Sequence, residues 1–209
     1  IEMQTAAGVT YISDGEWRRE SYVKIFAESV DGFTLDLSEN ITPNAFSLKY
    51  PAVTSRISKI KPIALNELKF LKSMTKKKLT VAIPSPYTIG RRMWEAEYSK
   101  QAYPERKHFI KDCIPILKEE ISDLDKAGAD SIQIDDPWLS LLVDKQYRKD
   151  NAIENIDAEI ELSVNSLNSI VNQDINAVTS VHFCHAHFNR KHGSFGSYHP
   201  IISALASIN

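Results

Sequence analysis

Lys126-Ala127-Gly128-Ala129-Asp130-Ser131-Ile132-Gln133-Ile134-Asp135 reads as a helix end, a glycine cap, a buried strand and an acid in succession. Gly128 supplies the left-handed residue on which a helix stops, and the β-branched run after it enters a sheet with its acid at the C-terminal edge. Ala6 through Asp14 repeat this order, with Gly8 as the cap and Val9-Thr10-Tyr11-Ile12 as the strand. Two such units imply a parallel sheet joined by crossover helices. Working outward, Phe33–Leu37, Leu79–Ile83 and Val178–Phe183 are further strand candidates. Phe109, Ile110, Cys113, Ile114, Leu117, Ile121 and Leu124 recur at helical spacing, as do Ile160, Val164, Leu167 and Val171, so each set predicts an amphipathic helix. The fold class is α/β. Pro115 lacks a backbone donor and predicts a kink in the first helix or a later start for it. Leu37 to Ile63, with Pro43, Pro51 and Pro62, reads as a long irregular loop within one domain covering residues 1–209.

The composition bounds the function. Of 209 residues 43% are apolar and 25% charged, and a mean hydropathy of −0.28 suits a soluble globular chain. No run approaches the ~18 apolar residues of a membrane helix, and the N-terminus has no signal-peptide pattern, so no membrane partner is expected. A net charge of −2 argues against nucleic acid as a partner. Lys76-Lys77-Lys78 reads as a solvated turn. Two cysteines, Cys113 and Cys184, cannot build a disulfide framework, which points to a reducing, cytoplasmic setting. Cys113, on an apolar helix stripe, reads as core.

In parallel α/β folds ligands gather at the C-terminal ends of the strands. The residues there are polar: Asp14-Gly15-Glu16-Trp17-Arg18-Arg19, Pro84-Ser85-Pro86-Tyr87, Asp135-Asp136-Pro137-Trp138 and His182-Phe183-Cys184-His185. If the last segment is extended, His182 and Cys184 point to one face, as two ligands of a tetrahedral zinc would. A buried strand with a small apolar Cys and a hydrogen-bonded His accounts for the same tripeptide. Five of the six histidines fall between His182 and His199. His185 and His187 are second choices as ligands, and His192 and His199 read as loop residues around Gly193 and Gly196. Asp135 and Asp136 suit acid/base work, a grip on an ammonium, or the capping of the next helix. Glu16 reads either as a site acid or as a first-turn helix acid, with Arg18 and Arg19 as solvated neighbours or carboxylate binders. Trp94 and Trp138 lie just beyond strand ends.

Taken in order, Ser13-Asp14-Gly15-Glu16-Trp17-Arg18-Arg19, Ile83-Pro84-Ser85-Pro86, Ala127 through Pro137, and His182-Phe183-Cys184 resemble the catalytic domain of the cobalamin-independent methionine synthase family, as a single-barrel relative. The resemblance implies a (βα)8 TIM barrel, incomplete here at its first and last strands. It implies zinc (Zn2+) as the cofactor, with a methyl group passing from a methylated folate to homocysteine or a similar thiol. His182 and Cys184 are then metal ligands, and Glu16 and Asp135 hold the amino-acid end of homocysteine as the catalytic acids. The family completes its zinc set with a Glu and a Cys expected beyond Asn209. Ser85 and Trp94 are further substrate-binding candidates, Trp94 lying two residues past Arg92, where the family has a folate-stacking Trp. Asp136 replaces the family's Glu. Two other readings remain: a degenerate, non-catalytic barrel, and a metal-free relative of the uroporphyrinogen decarboxylases. The sequence leaves the oligomeric state open.

Overall fold

The computed structural model describes residues 1–40, 48–185, 187–188 and 191–209. In chain order the elements are α1 (Glu2–Ala6), β1 (Tyr11–Ile12), α2 (Lys24–Ser29), β2 (Val30–Asn40), β3 (Leu48–Lys59), α3 (Leu65–Met74), β4 (Lys78–Pro84), α4 (Pro86–Met93), α5 (Ala96–Ser99), α6 (Arg106–Lys126) and β5 (Ser131–Asp135). They continue with α7 (Pro137–Leu141), α8 (Lys145–Asp150), α9 (Ile156–Val171), β6 (Val178–His182), β7 (His187–Phe188), β8 (Lys191–His192), a 3-10 turn at His199–Ile201 and α10 (Ile202–Leu205).

The sheet is parallel, in the order β1-β4-β5-β6. Strand β5 is central, and Ile132 and Ile134 are fully buried in it, which is why it reads as a nearly continuous apolar run. Register sets the functional rim: Pro84 lies opposite Asp135, and Asp135 opposite His182. Two backbone bonds clasp these ends, Ser85 N–H to the Asp135 carbonyl and Asp136 N–H to the His182 carbonyl, both 3.0 Å. The paired helix-end motifs form as expected, with Gly8 at φ +73° and Gly128 at φ +91°. The apolar stripe of α6, including Cys113, faces the core, and α9 buries Val164, Leu167 and Ile170 beside it.

Three sequence expectations change. The described residues of the expected Leu37–Ile63 loop are largely strand: β2 and β3 form an antiparallel ribbon running from Val30 opposite Lys59 to Asn40 opposite Leu48, with register shifts along it. Prolines mask its alternation, yet Pro51 is tolerated because each strand of a two-stranded ribbon has a free edge; Pro43 lies outside the described residues. The helix over Pro115 begins upstream, at Arg106. Pro115 and Lys111 are exposed, so the carbonyl that loses its donor faces solvent while Cys113, Ile116 and Leu117 hold the helix from the buried side. The last parallel strand ends at His182, leaving Phe183 and Cys184 outside it.

Candidate functional site

The geometry grows from the level strand ends. Asp135, at the end of β5, is 5% exposed. Its Oδ1 accepts from Gln133 Nε2 at 2.8 Å and pairs with His182 Nδ1 at 2.9 Å. Gln133 reaches it because residues two apart share one face of a strand. With Nδ1 committed to the carboxylate, His182 keeps Nε2 for another partner, the arrangement by which a carboxylate fixes the tautomer of a metal-binding imidazole.

Glu16 stands in a turn after β1, not in a helix. Its N–H bonds Asp14 Oδ1 at 2.9 Å, and it takes φ 59°, a left-handed conformation uncommon for a residue with a side chain. Arg19, its side chain 2% exposed, is the prop behind it. The guanidinium binds Glu67 on α3 through Nε at 2.9 Å and Nη2 at 2.5 Å, donates to the Ala82 carbonyl at 2.8 Å, and reaches Glu16 Oε2 at 3.4 Å. Burial raises the Glu16 carboxyl above its ordinary value; Arg19 opposes this, and the charges of Asp135, Glu67 and Asp14 add to it. Glu16 and Asp135 are thus two carboxylates from different strand ends whose charges act on each other, an arrangement that an ammonium between them would relieve.

Asp136 is fully buried, and Thr88 Oγ1 at 3.1 Å and Ser163 Oγ at 2.7 Å donate to its two oxygens. Burial pushes its carboxyl to about 6, against the pull of these hydroxyls. Its role is to tie α4 and α9 to the strand end. Ser85 is also fully buried: its Oγ accepts from Thr88 N–H at 2.9 Å as the N-cap of α4.

The structure does not bring every candidate together. Cys184 is half-buried, and its carbonyl accepts from Ser140 Oγ. His185 pairs with Ser194 Oγ at 2.9 Å and stacks on Tyr198. His192 lies in β8 opposite His187, and His199 in a 3-10 turn, so neither is a plain loop residue. Among the described residues no group of three His, Cys, Asp or Glu side chains is arranged to hold a metal ion. Trp94 donates its indole N–H to the Tyr103 carbonyl at 2.9 Å and lines a cleft of about 510 Å³ with Arg106 and Glu159, between α6 and α9. None of Glu16, Asp135, His182 or Cys184 lines that cleft. Sequence reading missed Gln133, Glu67, Thr88 and Ser163; the two-residue spacing of Gln133 from Asp135 on a strand could have found it, and nothing in the sequence links the other three to the rim.

Comparison with known proteins gives a consistent picture. The family described as "Cobalamin-independent synthase, Catalytic domain" matches residues 1–195. A methionine synthase of Saccharolobus solfataricus is 31% identical over 185 residues, 88% of this chain and 49% of that protein. A protein named 5-methyltetrahydropteroyltriglutamate–homocysteine methyltransferase from Thermotoga maritima is 26% identical over 198 residues, 90% of this chain and 24% of that protein. The chain thus spans half or less of the length of these relatives. A solved B12-independent methionine synthase from a Shewanella species, in complex with selenomethionine, shares the fold at TM-score 0.69 and 23% identity, over 89% of this chain and 49% of that one.

Proposed function

Because the chain belongs to the cobalamin-independent synthase catalytic-domain family, we propose that it acts in methyl transfer from a methylated folate to the thiol of homocysteine or a similar thiol. On this reading the parallel sheet is part of a (βα)8 barrel. The observation that carries the proposal is the electrostatic coupling of Glu16 to Asp135, the first propped by Arg19 and the second fixed by Gln133 and His182. Both bonds to Asp135 fall on Oδ1, so a substrate ammonium would meet Oδ2 and the Glu16 carboxylate.

The donors present suit zinc in kind, an imidazole with Nε2 uncommitted and a thiol, and they supply two of its ligands. His182 and Cys184 would hold it, and bound zinc favours the thiolate form of an acceptor thiol. The remaining work falls to the chain's own groups. Glu16 and Asp135 bind the amino-acid end, Arg19 keeps the Glu16 carboxylate in place, and Asp136 with Thr88 and Ser163 fixes the floor of the rim. The family match supports this reading over a metal-free decarboxylase relative.

The test is methionine formation from homocysteine and 5-methyltetrahydrofolate, with zinc measured by elemental analysis on the same preparation. The proposal expects zinc and activity, both lost in Cys184→Ser. Homocysteine binding that survives chelation, with no methionine formed, would favour the degenerate binding barrel instead.

A further inference from the structure

Two arginines elsewhere have carboxylate partners: buried Arg19 has Glu67 and Glu16, and half-buried Arg106 has Glu159. Arg91 and Arg92, near the end of α4, have none among the described residues. Arg92 lies with its guanidinium carbon 4.6 Å from the Tyr50 ring and 4.6 Å from the Trp138 ring. Arg91 approaches Trp138 at 5.8 Å and Tyr147 at 5.9 Å, and its Nη2 donates to the Tyr147 hydroxyl at 2.8 Å. The Nε atoms of both are buried without a hydrogen-bond partner, as is that of Arg106, and the Tyr22 hydroxyl takes one of the donors of Arg92. Glu159, whose charge also reaches Arg91, is already engaged by Arg106 and by the Tyr87 hydroxyl at 2.6 Å.

A guanidinium flanked by aromatic rings has its faces occupied and its in-plane N–H groups left to bond, the geometry that receives a planar oxyanion edge-on. Two neighbouring cations on one indole, neither paired with a carboxylate among the described residues, strengthen the local positive potential. The position is also suggestive: Trp138 follows β5 by three residues, and α4 begins directly after β4, so the cluster is built from the connections that carry Ser85 and Asp135.

We infer that Arg92, backed by Arg91 on the Trp138 ring, is a binding site for an oxyanion of a small-molecule ligand, a carboxylate in the first instance, beside the rim that holds Glu16 and Asp135. The inference needs neither the metal nor the methyl-transfer reading. On this account the ligand is gripped at position 92 by charge and in-plane hydrogen bonds, not by stacking on an aromatic side chain.

The test follows the arginine Nε–Hε resonances of the 15N-labelled protein while p-aminobenzoyl-glutamate, a dicarboxylate, or inorganic phosphate is added. The expected result is a saturable shift of the Arg91 and Arg92 signals, with the Arg19 and Arg106 signals unmoved. Arg92→Gln should weaken binding at least about tenfold, and Arg92→Lys less, since it keeps the charge and loses the fork. Response to the dicarboxylate alone identifies a carboxylate ligand, and response to phosphate identifies a phosphate-accepting site; both support the inference. Absence of any shift with either probe overturns it, as does binding that Arg92→Gln leaves unchanged. The spectrum of the unsubstituted protein decides the matter even if the variants fail to fold. Homocysteine binding, which depends on Glu16 and Asp135, is measured separately, so failure here and failure of the methyl-transfer reading are distinguishable.

Discussion

Two arginine settings in this molecule solve the same problem in opposite ways. Arg19 is sealed behind Glu16 with its guanidinium matched by Glu67 and the Ala82 carbonyl. Arg92 is enclosed by Tyr50 and Trp138 with no carboxylate beside it among the described residues. A buried cation with its counter-ion built in is structural and fixes what lies next to it; one enclosed by rings and lacking a counter-ion keeps its charge for something that arrives. Asp136 is a third case, a buried acid held by two hydroxyls, with no cation paired to it among the described residues.

Breaking the matched pair should cost most. Arg19→Met leaves the Glu67 carboxylate buried without its partner, so a loss of roughly 3–5 kcal/mol in urea unfolding is expected, partly restored in Arg19→Met/Glu67→Met. A loss under about 1 kcal/mol would show that the pair is not the prop described. Asp136 comes next. Its carboxyl titrates near 6 in the folded protein against an ordinary 3.8. Folded protein therefore holds this proton to a higher pH than the unfolded chain, and stability falls as pH rises between these values, by about 3 kcal/mol from this group. Asp136→Asn should flatten that segment of the stability–pH curve, and parallel curves for both proteins would refute the assignment. Gly90 sharpens the contrast from another side, since an added Cβ would lie 2.3 Å from Ile110 Cγ1. Gly90→Ala should cost about 1–3 kcal/mol and shift α4, moving the Arg91 and Arg92 signals while sparing Arg19. Arg92→Gln should change stability least, by about 1 kcal/mol, because two ring contacts are lost and no charge is orphaned.

The parallel sheet was legible because its signals are local: a glycine cap, a β-branched run and an acid, each within ten residues of Gly128 or Gly8. The ribbon of β2 and β3 was not, because its pairing is long-range and Pro51 interrupts the alternation that marks a strand. Within the site, Asp135, Glu16 and His182 stood out as polar residues just past apolar runs, and the structure links Asp135 to His182 and to the field of Glu16. Ser85 stood out as a polar residue past an apolar run and Trp94 through the family resemblance; in the structure Ser85 caps α4 and Trp94 bonds a backbone carbonyl. The partners of Arg19 and Asp136 were unreadable, since Glu67, Thr88 and Ser163 reach them only through tertiary packing.

The central claim is that Glu16 and Asp135 together grip the ammonium end of a thiol amino acid. Calorimetric binding of L-homocysteine to the protein and to Glu16→Gln, Asp135→Asn and Trp94→Phe tests it most directly. The account predicts about tenfold or greater weakening in each carboxylate variant, no change in Trp94→Phe, and weaker binding to the unsubstituted protein as falling pH protonates Glu16 through its raised pKa. Equal affinity in all four proteins, or binding indifferent to acid, would contradict it.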